Sequence, residues 1–115
     1  MSLISGFIAF IFFMAGIAFS ILKTSKLHSI KGIARKSHCC IGFFTVVIGI
    51  FHSLLSGLSI KFTFGYLSLL LLLIITIFGI LLKYSKSSVT RNIHITVGIL
   101  TSVVILLHIY SKLLF

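Results

Sequence analysis

The chain contains no aspartate and no glutamate, and it has neither proline nor tryptophan. Without carboxylates it has no carboxylate relay for moving protons or cations through a membrane, and no side-chain counter-ion for its own cations. Without proline, any helix it starts can run on unbroken. Cysteine is nearly missing too. Cys39 and Cys40 are adjacent and no Cys-x-x-Cys-His occurs, so a covalent haem attachment site is excluded. Neighbouring positions on a helix point about 100° apart, and next to a basic, reducing-side segment a structural disulfide is not expected.

What is present is apolar length. Of 115 residues 59% are hydrophobic, a membrane composition. Four stretches, about 3–22, 38–60, 62–83 and 92–114, each reach or approach the roughly 20 residues needed to span a bilayer. The expected fold is all-α, a transmembrane four-helix up-down-up-down bundle in one domain, 1–115. The first stretch lacks a basic region before it and is longer than a typical signal core, so it is expected to be retained.

The ten basic residues are unevenly placed. Lys23, Lys26, Lys31, Arg35 and Lys36 fall between the first and second stretches, and Lys83, Lys86 and Arg91 between the third and fourth; Lys61 and Lys112 lie at the opposite ends. The positive-inside bias puts the two basic connections in the cytoplasm and both termini outside, in what is expected to be a prokaryotic plasma membrane. Membrane lipid, not nucleic acid, is the partner these charges imply. A net charge of +10 with no acidic side chain also leaves room for a bound anion.

Four of the five histidines form two matched pairs. His38 and His52 are fourteen residues apart in the second stretch, and His94 and His108 fourteen apart in the fourth. Fourteen is two heptads, so in a left-handed bundle both members of a pair return to one inward face, about 21 Å apart along the helix. The segments HCCIGFFTVVIGIFH and HITVGILTSVVILLH share glycine at offset four, Gly42 and Gly98, and threonine at offset seven, Thr45 and Thr101. The seam is completed by Gly49 in one and Ile105 in the other. Small residues on such a seam serve close helix packing, and equally they leave room for a flat macrocycle beside an inward imidazole. Gly65 and Gly79 in the third stretch, and Gly6 and Ser20 in the first, repeat the fourteen-residue spacing.

With the second and fourth helices parallel, His38 is level with His94 and His52 with His108. Each level then offers two imidazoles, too few for zinc, which wants four ligands. Two imidazoles are the complete axial set for haem iron, whose porphyrin fills the in-plane positions. The expected cofactors are therefore two non-covalent b haems, an inner one on His38 and His94 and an outer one on His52 and His108. Arg35, Lys36 and Arg91 are candidates for pairing with the inner propionates, and Lys61 and Lys112 with the outer. The same side chains also suit the membrane interface as snorkelling residues. His28 reads as an ordinary loop histidine.

These residues resemble the di-haem membrane cytochromes b, above all the four-helix core of the respiratory and photosynthetic members. Similar bis-histidine arrangements occur in the membrane domains of ferric reductases and NADPH oxidases. In the resembling family two parallel helices each carry two ligating histidines thirteen or fourteen positions apart. Glycines on neighbouring helices there make room for porphyrin, a role the resemblance gives to Gly65 and Gly79; Gly42, Thr45, Gly49, Gly98 and Thr101 are added from the seam. The chain departs from the family in having no helices beyond the fourth and no flavin or nicotinamide domain, so a redox partner protein or quinol is implied. The leading expectation is an electron conduit. A quinol-linked or metal-reducing oxidoreductase and a non-redox structural subunit are the competitors, and oligomeric state is not encoded in any motif.

Overall fold

The computed structural model describes residues 2–22, 28–57 and 63–114. Among these there are four α-helices and no strand: α1 (Ser2–Leu22), α2 (His28–Leu55), α3 (Phe64–Tyr84) and α4 (Ser88–Leu114). All four are long and apolar enough to cross a membrane. The all-α class expected from composition is the class observed, and four such helices mark the chain as an integral membrane protein.

Two compact units divide the chain, Met1–Gly57 and Leu58–Phe115. Each is a helical hairpin, α1 packed on α2 in the first and α3 on α4 in the second. Both hairpins are antiparallel. Gly6 near the start of α1 meets His52 near the end of α2, while Gly16 near the end of α1 meets His38 in the first half of α2. Gly65 and Gly79 meet His108 and His94 in the same reversed order.

The packing is what lipid favours. Large apolar side chains such as Phe7, Phe43, Ile77 and Leu106 are exposed, whereas the most buried positions include Thr101 (0% exposed) and Thr45 (4%). In hydrocarbon no hydrophobic force drives helices together, so small residues that let backbones approach are selected for the contact, and branched apolar chains face the acyl phase. The buried threonines return their hydroxyl protons to the preceding turn, Thr45 to Ile41 O (2.7 Å) and Thr101 to Val97 O (2.6 Å). In the first hairpin Phe12 and Phe44 add a tilted ring contact at 6.3 Å.

Helix ends differ from the expected ones for local reasons. α2 begins at His28 instead of 38, so Lys31, Arg35 and Lys36 are helical. Nothing in 28–37 breaks a helix, and Ala34 is buried at 1% exposure. α2 stops at Leu55 because Gly57 adopts φ +77, a left-handed ending that glycine takes without steric cost. Thr63 caps α3, its hydroxyl accepting from Tyr66 N at 3.4 Å. Lys61, a candidate for the outer level, lies outside the described residues.

Candidate functional site

All four paired histidines are half-buried, and each reaches the preceding helix of its own hairpin. His38 Nδ1 lies 2.9 Å from Gly16 O, and His94 Nδ1 lies 3.0 Å from Ile75 O. A carbonyl oxygen can only accept, so each Nδ1 carries the proton. In a neutral ring the lone pair is then on Nε2. His52 Nδ1 is held differently, 3.1 Å from Ser5 Oγ.

Glycine is what lets the rings in. A Cβ built on Gly6 would come within 2.8 Å of His52 Cε1, one on Gly65 within 2.8 Å of His108 Cε1, and one on Gly79 within 3.2 Å of His94 Cε1. Gly65 and Gly79 therefore make room for imidazole within the hairpin. That is a closer role than the macrocycle spacing the resemblance gives them.

The other seam residues divide. Thr45 and Thr101 face the hairpin contact and are buried, and Gly49 and Ile105 are half-buried. Gly98 also packs, with Ile75 Cδ1 3.0 Å from its would-be Cβ, whereas a Cβ on Gly42 would meet nothing within 4 Å. The matched glycines of the sequence are thus used differently. Arg35, Lys36 and Arg91 are exposed one turn or less before His38 and His94, and Lys112 is exposed one turn after His108. Cys39 and Cys40 are free and exposed. His28 opens α2, and its side chain lies outside the described residues.

Ser5, Gly6, Gly16 and Ile75 were not singled out as site residues from sequence. A signal for them exists. Gly6 and Gly65, Gly16 and Ile75, and Ser20 and Gly79 are each separated by 59 positions, while His38 and His94, and His52 and His108, are separated by 56. Shifting the first hairpin by these two offsets superposes its imidazole contacts on those of the second: His38 to Gly16 O becomes His94 to Ile75 O, and His52 at Gly6 becomes His108 at Gly65. The hairpins are two versions of one imidazole-holding unit.

The donor set can be tested against candidate groups. An ion that needs several protein ligands at one point finds no group of three or more His, Cys, Asp or Glu among the described residues. Haem iron asks for two imidazoles, each offering Nε2, with Nδ1–H fixed by a carbonyl or similar acceptor that orients the ring and raises its basicity. His38 and His94 each have the Nδ1–H···O=C bond, within their own hairpins. Compared with protein-family models, curated proteins and solved structures, the chain matches none.

Proposed function

We propose that the protein is a membrane cytochrome b holding two b haems, one on His38 and His94 and one on His52 and His108, and that it carries electrons across the bilayer. The observation that carries this reading is the Nδ1–H···O=C bond of His38 and of His94. It is the outer-shell bond that metal-ligating histidines make, and it occurs at corresponding positions of both hairpins. The pairing of levels rests on the two equal fourteen-residue spacings. A haem supplies one-electron chemistry between ferric and ferrous iron. The chain's own residues would bind and orient it: imidazoles as ligands to its iron, glycines as their seats, and Arg35, Lys36, Arg91 and Lys112 as cations for its carboxylates.

Two protein ligands on each iron would leave it no open site for oxygen, which favours electron transfer over oxygen activation. The purified reduced protein is expected to show the sharp α and Soret bands of six-coordinate haem, unchanged by carbon monoxide. Fast stoichiometric binding of carbon monoxide would open an axial site and overturn the bis-imidazole assignment. A structural subunit is a second reading, favoured by the fact that the same hydrogen bonds satisfy a packing imidazole. A colourless protein that takes up no haem would establish it. Reduction by a quinol analogue would assign the quinol-linked enzyme instead of the simple conduit.

The orientation follows the charge. With basic connections inside, the exposed thiols of Cys39 and Cys40 should react with a permeant maleimide and resist an impermeant one added outside intact cells. Labelling from outside would invert the topology and exchange the two levels.

A further inference from the structure

We propose that Ser5 is a positioning residue for His52, accepting its Nδ1 proton and so directing the Nε2 lone pair toward ligation. The proposal rests on the haem reading and names a residue that sets the properties of one site only. For His38 and His94 the acceptor is main chain, so the tautomer is dictated and no side-chain substitution removes it. For His52 the partner is a hydroxyl at 3.1 Å, which could donate or accept. If it donated to Nδ1, the ring proton would sit on Nε2 and His52 could not bind a metal through that nitrogen.

The rest of the chain indicates which role the hydroxyl takes. Seven other hydroxyls, among them Thr45, Ser68, Thr76 and Ser102, donate to a backbone carbonyl three or four residues earlier. A serine in a helix sends its proton to the preceding turn because that acceptor is always within reach. Ser5 lies in α1, buried at 9% exposure, and the helix carries a backbone carbonyl three residues before it, at Ser2. A Ser5 hydroxyl that follows the same habit would send its proton to that turn, present a lone pair to His52 and accept from Nδ1–H. Gly6, the next residue, seats the same ring. Two adjacent α1 positions thus fix the imidazole, one by shape and one by tautomer.

A hydrogen bond from Nδ1–H makes imidazole a stronger donor and favours ferric iron. Redox titration of the full chain carrying Ser5→Ala should therefore move one of its two haem transitions to higher potential and leave the other in place, and Ser5→Thr should restore it. Two unmoved transitions in a haem-replete Ser5→Ala protein would overturn the proposal. Nitrogen-15 spectra of histidine-labelled, haem-free protein in micelles give a test independent of haem. His52 should be protonated at Nδ1, and Ser5→Ala should shift its nitrogens alone. A proton on Nε2 of His52 would overturn the role given to Ser5. If the protein takes up no haem at all, the haem reading falls and the nitrogen spectra alone decide whether Ser5 sets the tautomer.

Discussion

His52→Ala is expected to lose one of two haems, and His108→Ala to lose the same one, with the other haem's spectrum intact. His38→Ala and His94→Ala should share the complementary loss. On the two-haem proposal the effect is large because a ligand to the iron would be removed outright, while the cost to the fold is small. His52 contributes its bond to Ser5, a net stabilisation of about 1 kcal/mol, and the hairpin is also held at Phe12–Phe44 and at Gly16 against Ile41 and His38. Any haem retained on one imidazole would be five-coordinate and would bind carbon monoxide. Absorption and haem content of the four purified variants check the assignment. If His52→Ala instead shared its spectral loss with His94→Ala, the level-by-level pairing would be wrong.

The second large effect is expected at Gly65. A Cβ there meets His108 Cε1 at 2.8 Å, closer than carbon atoms approach without something moving, so Gly65→Leu must push the imidazole off its seat. Overpacking of this kind costs about 1–3 kcal/mol, and the displaced ring loses its ligand geometry, so the haem on His108 should be lost. Gly42→Phe makes an informative partner. A Cβ at Gly42 meets nothing within 4 Å, so the hairpin should fold as before, and loss of haem would show that the macrocycle occupies the space beside Gly42. Helical content by circular dichroism and haem content separate the two mechanisms. Full haem in Gly65→Leu would mean that His108 is not a ligand.

The four helices were readable in the sequence because membrane helices are written in long apolar runs, and the seam residues because they recur at a fixed period. The heptad offsets put Thr45 and Thr101 on matching seam positions, and each is among the most buried residues, within its own hairpin. The imidazole seats were harder to see. The contact partner of each histidine is in the preceding helix, and antiparallel register, which no local pattern encodes, decides whether Gly6 or Ser20 meets His52. Gly16 and Ile75 contribute a backbone oxygen, a role that leaves no trace in side-chain identity. The start of α2 was misplaced because Lys31, Arg35 and Lys36 read as a polar connection, while Ala34, buried at 1%, gives too weak a signal to extend the helix.

Haem stoichiometry decides between the proposed two-haem protein and a haem-free helical subunit. Pyridine haemochromogen analysis of the full chain, purified in mild detergent from haem-replete cells, should give two non-covalent b haems per chain, extractable by acidified organic solvent. A chain that stays colourless under those conditions and takes up no haem when titrated with it would not be a cytochrome.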